Sequence, residues 1–182
     1  MNNSKKSTSN EKTILTVENI QAFYGEKNVL QDINLKFTEK SFTCLIGPNG
    51  SGKSTLLNVL CGINNPSLDI TNGKVFLKSQ DIKKISKKEI AKEISFLPQS
   101  EMYSWNHLVL DVVMMGRFPY SKGFFGYTKE DTEIAEKALA ECDILHLKDR
   151  YIFELSGGEY QQVLIARSLC QETKILVLDE PF

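Results

Sequence analysis

Gly47-Pro48-Asn49-Gly50-Ser51-Gly52-Lys53-Ser54 is the stretch that decides the fold. It fits the pattern G-x-x-x-x-G-K-[ST]. Its glycines let consecutive backbone N–H groups turn toward one anion, because no Cβ blocks the approach. A helix after the loop points its positive end at the same anion. Lys53 supplies a charge for the β- and γ-phosphates, and Ser54 offers a hydroxyl to Mg²⁺. Thr55 carries the loop into the helix. At average glycine usage, a chance match somewhere in the chain has odds on the order of one in a hundred. The flanks agree with the motif. Residues 42–46 (Phe-Thr-Cys-Leu-Ile) are nearly all apolar and read as a strand buried on both faces, as in a parallel sheet. Residues 53–60 read as a helix. The expected ligand is a nucleoside triphosphate.

Upstream, residues 13–17 and 33–37 alternate as strands do. Downstream, residues 74–77 and 94–97 are strand-like, the latter stopped by Pro98. Ser86 and Glu89 have capping-box spacing and open a short helix. From Ser100 to Phe153 the pattern turns helical. Residues 111–115 are apolar after Asp111, and residues 128–141 are amphipathic with Thr128 as cap. Gly123 and Gly126 mark a loop between them. A last helix is expected over 158–170 and a last strand over 175–178. The fold class is α/β, with a helical insert between two halves of a nucleotide-binding core.

That last strand, Ile175-Leu176-Val177-Leu178, ends in Asp179-Glu180. A buried parallel strand delivers its C-terminal residues to the crevice where ligands bind. Asp179 is placed to hold Mg²⁺ and Glu180 to orient and polarise an attacking water. Alone, two acids after a strand are a polar turn. Downstream of a phosphate loop they are candidates for catalysis.

The remaining composition mostly excludes. The formal net charge is −1, so no global basic field points to nucleic acid. Lys83-Lys84 and Lys87-Lys88 lack interleaved aromatics and read as a solvated helix face. Cys44, Cys61, Cys142 and Cys170 form no C-x-x-C pair and are expected as reduced, buried thiols. His107 and His146 lack ligand spacing. No segment is apolar enough to span a bilayer. Residues 1–12 are polar and read as a disordered tail without a signal peptide.

The phosphate loop, Leu155-Ser156-Gly157-Gly158-Glu159 and Leu178-Asp179-Glu180-Pro181 together resemble the ATP-binding subunit of ABC transporters. The resemblance runs from about Thr13 to the end of the chain. It implies a P-loop NTPase core with an N-terminal antiparallel β-subdomain, spanning residues 13–182 with the helical insert at about 100–155. It also implies ATP and Mg²⁺ as ligands. Tyr24 falls where an aromatic stacks on adenine. Gln99 resembles the glutamine that meets Mg²⁺ and the attacking water. Leu155, Ser156, Gly157, Gly158 and Glu159 resemble the signature loop, which engages the γ-phosphate held by a second subunit. Two chains then sandwich two ATP molecules head to tail, and hydrolysis removes the bridge. Transmembrane permease subunits are the implied partners, docked on residues 102–118 with Trp105 and Phe118 foremost. The expected location is cytoplasmic, peripheral on the inner face of the membrane, with no nucleic acid and no direct contact with cargo.

Gln99 and Ser156 are 57 positions apart, too close for coiled-coil arms of the chromosome-type ATPases. Val113-Met114-Met115-Gly116-Arg117-Phe118-Pro119-Tyr120 resembles the matching stretch in importers of iron-siderophore, haem and cobalamin complexes. The sequence stops at Phe182, before the D-loop and switch histidine of the family. A fragment missing the last part of the core is therefore expected, with an interior strand absent and apolar side chains left uncovered. Two competing readings are a soluble ABC-type ATPase of assembly, translation or repair, and a non-hydrolysing nucleotide-binding module.

Overall fold

The computed structural model describes residues 12–99, 103–121 and 126–180. Residues 1–11 of the expected tail, the loop glycine Gly123, Met102 and the last two residues lie outside them. The chain divides into two compact units, Met1–Lys84 and Ile85–Phe182.

The first unit is built on an antiparallel sheet in the order β2-β1-β3-β4. Strand β1 (Thr13–Tyr24) is its centre, paired with β2 (Lys27–Thr38) on one edge and β3 (Leu68–Leu77) on the other. A two-residue β4 (Gln80–Asp81) closes the far side. Ile14, Leu15, Val17, Ile20 and Ala22 of β1 are buried with Val75 and Leu77 of β3. All three long strands outrun their sequence signals. The polar pair Glu18-Asn19 hides the continuity of β1, since the register shifts there and Asn19 adopts φ 51°. Gly73 makes that irregularity possible. It sits at φ 89°, and a Cβ would fall 2.5 Å from the Asn19 and Glu18 carbonyl oxygens. Helix α1 (Lys53–Leu60) has the bounds expected and buries Thr55, Leu56, Val59 and Leu60.

Residues 42–46 correct the sequence reading. They form no strand, and Phe42 and Ile46 are 93% and 88% exposed. A strand buried on both faces must be flanked on both edges. Among the described residues none pairs with this run, so its apolar side chains stay uncovered. Cys44 lies within it and is exposed, whereas Cys142 is half-buried, so only Cys61 and Cys170 are the buried thiols expected. Burial pushes both of those up to about 12.

Among the described residues, the second unit packs four α-helices beside a two-stranded parallel sheet. Helix α2 (Lys87–Ala91) is capped by Ser86, whose hydroxyl accepts from the Glu89 N–H. It leads into β5 (Ile94–Leu97), which pairs in parallel with β6 (Ile175–Leu178), Ile94 opposite Ile175 and Leu97 opposite Leu178. Lys83-Lys84 and Lys87-Lys88 are exposed as expected, but they sit on separate elements rather than on one helix face. Helices α3 (Val109–Met114), α4 (Lys129–Glu141) and α5 (Gly157–Cys170) enclose a core of Val109, Val112, Val113, Ala135, Leu139, Val163 and Ala166. A 3₁₀ turn, Met115–Tyr120, continues α3. Thr128 caps α4 through a reciprocal box with Asp131, a device worth about 1 kcal/mol. Strand β6 is less covered than a central parallel strand: Leu176 and Leu178 are 42% and 37% exposed, because a ladder runs along one edge only.

Candidate functional site

The phosphate loop belongs to the first unit, at the entry to α1. Gly52 is the N-cap residue, at φ 92°. A Cβ on it would meet the Val29 carbonyl oxygen of β2 at 2.8 Å. A Cβ on Gly47 would fall 2.9 Å from the Ser51 hydroxyl oxygen. Gly50 adopts φ 77°, and the Ser51 N–H donates to the Pro48 carbonyl at 3.2 Å, closing the turn that contains Asn49. The start of α1 has neither a side-chain cap nor an acid in its first turn. The Lys53 ammonium donates to the Gly47 carbonyl at 3.0 Å and to the Pro48 carbonyl at 3.2 Å, so its charge is folded over the loop. Ser54 is exposed and Thr55 is buried. Loop, cation and open helix start together favour a multiply charged anion.

Tyr24 ends β1 in the same unit, half-buried, and its hydroxyl accepts from the Asn65 amide at 3.0 Å.

Gln99, Asp179 and Glu180 belong to the second unit, at the carboxyl ends of the parallel pair. Asp179 is buried and its N–H donates to the Leu97 carbonyl at 3.0 Å. The next residue, Glu180, turns outward at φ 47°. The Gln99 side-chain amide donates to the Glu180 carboxylate at 2.7 Å. Residues 81 positions apart in sequence thus meet where a parallel sheet presents its ligand-facing residues. Mg²⁺ takes hard oxygen donors. The Asp179 carboxylate and Gln99 amide oxygen on one unit, and the Ser54 hydroxyl on the other, are of that kind. Among the described residues, no cluster of three or more His, Cys, Asp and Glu forms a metal site. His107 packs edge-on against Tyr103 with centroids 5.7 Å apart, and His146 is exposed.

The signature run sits at the start of α5. Leu155 packs against the helical core. Ser156 is the N-cap, its hydroxyl accepting from the Glu159 N–H. In return the Glu159 carboxylate accepts from the Ser156 N–H at 2.8 Å and from its hydroxyl at 2.7 Å. Those bonds hold the Glu159 carboxyl below its ordinary range. Cβ atoms on Gly157 or Gly158 would meet nothing within 4 Å.

Trp105 and Phe118, the expected docking aromatics, are 76% and 72% exposed. Between them and the strands the structure reveals residues whose roles the sequence conceals. Arg117 is buried and ion-paired to Asp131 at 2.9 Å and to Glu172 at 2.8 Å. Gly116 before it lies against the Arg167 carbonyl of α5, where a side chain has no room. The available sequence signal, a glycine joined to a lone arginine inside an apolar run, does not by itself report burial.

Comparisons with known proteins bear on the family and the fold. The ABC transporter family model matches residues 30–182. The petrobactin import ATP-binding protein FatE of Bacillus anthracis is 37% identical over 92% of this chain and 65% of its own length. The iron(3+)-hydroxamate import ATP-binding protein FhuC of Bacillus subtilis is 38% identical over 92% of this chain and 61% of its own. The chain thus spans somewhat under two thirds of these curated relatives. A crystal structure of the ADP conformation of an ATP-binding cassette of an ABC transporter superposes with a TM-score of 0.78. It is 32% identical and covers 93% of this chain and 69% of that one. No helix among the described residues is long and apolar enough to cross a membrane. With a match across most of its length, the chain belongs to the ABC transporter family.

Proposed function

We propose that this protein is the ATP-binding and hydrolysing subunit of an importer of iron-siderophore-type chelates, working through a membrane permease. The observation that carries the reading is the Gln99–Glu180 hydrogen bond at the ends of β5 and β6. It sets side by side a carboxylate and an amide, groups able to polarise and orient a water, which supports the reading. The cargo class follows the two import relatives, FatE and FhuC, together with the stretch 113–120.

In this reading the loop 47–54 receives the β- and γ-phosphates on its backbone N–H groups. Lys53 exchanges its bonds to the Gly47 and Pro48 carbonyls for phosphate oxygens. Tyr24 offers its ring to adenine. Ser54 in the first unit, and Gln99 and Asp179 in the second, each carry an oxygen of the kind Mg²⁺ takes, and the ion would supply charge neutralisation at the phosphates when bound. Glu180 accepts a proton from water, and Gln99 fixes the carboxylate's direction. Ser156 and the N–H groups of Gly157 and Gly158 face the γ-phosphate held by a second copy, so the protein works as a head-to-tail pair. The permease meets the face that carries Trp105 and Phe118. The place of action is then the cytoplasmic face of the membrane.

Replacing Glu180 by Gln tests the reading. Turnover is expected to fall by at least 100-fold with ATP still bound, and the pair should persist in ATP as seen by light scattering. Unchanged turnover, or a protein that never hydrolyses ATP, refutes it.

A further inference from the structure

We propose that Arg117 is a positioning residue: from the turn Met115–Tyr120 it fixes the segment that feeds β6, and through it the Gln99–Glu180 pair. The inference rests on the roles given above to Gln99 and Glu180.

A buried guanidinium is costly unless its donors are matched. Here they are. Nε donates to Asp131 of α4 at 2.9 Å. Nη1 donates to the Cys170 carbonyl at 2.9 Å and to Glu172 at 2.8 Å. The guanidinium also lies 4.1 Å from the centre of the Tyr120 ring. An apolar residue of similar size is often the cheaper glue at such a site. What the planar fork adds is direction, since its donors fix the angle between the groups they join.

Those groups are the end of α5 and the turn into β6. The Tyr120 hydroxyl donates to the Gln171 carbonyl at 2.9 Å. The Gln171 side-chain amide reaches the other strand, donating to the Ala91 carbonyl and, at 3.2 Å, to that of Ile94. The Thr173 hydroxyl donates to the Ile175 carbonyl at 2.9 Å, and the Ile175 N–H to the Glu93 carbonyl at 3.0 Å. Gly116 lets the whole turn sit against α5 without a side chain between them. The segment from Cys170 to Thr173 is therefore gripped by the turn Met115–Tyr120 and tied to the roots of both strands. From those roots β5 and β6 run in register for about 13 Å at 3.3 Å per residue. They end in the 2.7 Å bond between Gln99 and Glu180. A rotation at the root displaces the tips.

The test reads the pair directly. In protein labelled with ¹⁵N-glutamine, the side-chain amide resonance of Gln99 is assigned by its loss in Gln99→Glu. Its position without the bond is calibrated with Glu180→Ala. Arg117→Met is expected to move the resonance most of the way to the Glu180→Ala position, and Arg117→Lys less. Glu172→Gln, at the exposed end of the cluster, should move it part of the way even where Arg117→Met fails to fold. Val112→Ala weakens the same helical core and should leave the resonance in place. The proposal is overturned if the Arg117 and Glu172 variants leave Gln99 unmoved, or if Val112→Ala moves it as far. If Glu180→Ala itself moves nothing, the pair is unbonded, and the reading of the site falls together with the clamp.

Discussion

The starts of α1 and α5 are built in opposite ways. Gly52 opens α1 in a left-handed conformation, with no side-chain cap and no acid in the first turn. Ser156 opens α5 with a reciprocal box, and the Glu159 carboxylate takes up its N–H and hydroxyl. The first helix carries no negative group of its own at its start, whereas the second supplies one. The glycines differ in the same sense. Those at 47 and 52 have backbone or side-chain atoms at under 3 Å from any added Cβ; those at 157 and 158 have nothing within 4 Å. At Gly52 glycine is demanded by the first unit's own packing, since the near atom is the Val29 backbone carbonyl; at Gly47 the near atom is the Ser51 hydroxyl of the loop itself, and Gly50 has open space but a left-handed φ. In the signature run, the open space above the glycines suits a surface that belongs to another molecule.

The largest effect that can break this contrast is Gly52→Ala. A left-handed φ for alanine and a Cβ 2.8 Å from the Val29 carbonyl should together cost about 2 to 3 kcal/mol. Urea unfolding would measure it, and nucleotide affinity should fall as well because the loop is re-aimed. A loss under about 1 kcal/mol would mean that β2 yields freely, and the contrast would go with it.

Gly158→Ala should act the other way. Its position is helical, its Cβ meets nothing, and alanine is the better helix former by up to about 1 kcal/mol. The thermal midpoint should hold or rise slightly. On the function proposed above, ATP-driven pairing should weaken at the same time, since the added methyl enters the space reserved for the partner. A clear fall in the midpoint would show that the signature glycine also serves the fold of its own chain.

How much of this was legible in sequence depended on how local the cause is. Thr128 and Ser86 advertise their helices because a cap and its partner lie three residues apart. Strands β5 and β6 read correctly because each is a compact apolar run with a stop signal. The run 42–46 has the same signature and forms no strand. An apolar run reports what a segment needs, not whether flanking strands are supplied. The phosphate loop could be placed from its glycines, and the acids at 179–180 from the strand before them. The bond between Gln99 and Glu180 could not, since it depends on the parallel register of strands 81 positions apart. Arg117 was the hardest to read. A lone arginine in an apolar stretch says nothing of burial until Asp131, Glu172 and Tyr120 converge on it.

The smallest effect concerns the charge at the start of α5. Hydrogen bonds from Ser156 hold the Glu159 carboxyl below its ordinary value. A group whose folded pKa is depressed stabilises the fold above its unfolded pKa, about 4.3 for glutamate, and loses that contribution as pH falls through the folded value. Acidification from about pH 5 downward should therefore loosen the first turn of α5. The start of α1, with no acid in its first turn, has no such group to titrate there. The Ser156 amide resonance, followed through an acid titration, should shift with a midpoint below the ordinary glutamate value, and Glu159→Gln should abolish the shift. The effect is modest because the carboxyl is open to solvent, where water and salt screen it. A midpoint at or above the ordinary value would mean that Glu159 is not held by the box. The two helix starts would then differ in their glycines and in the Ser156 hydroxyl cap, but not in a charge held at the helix start.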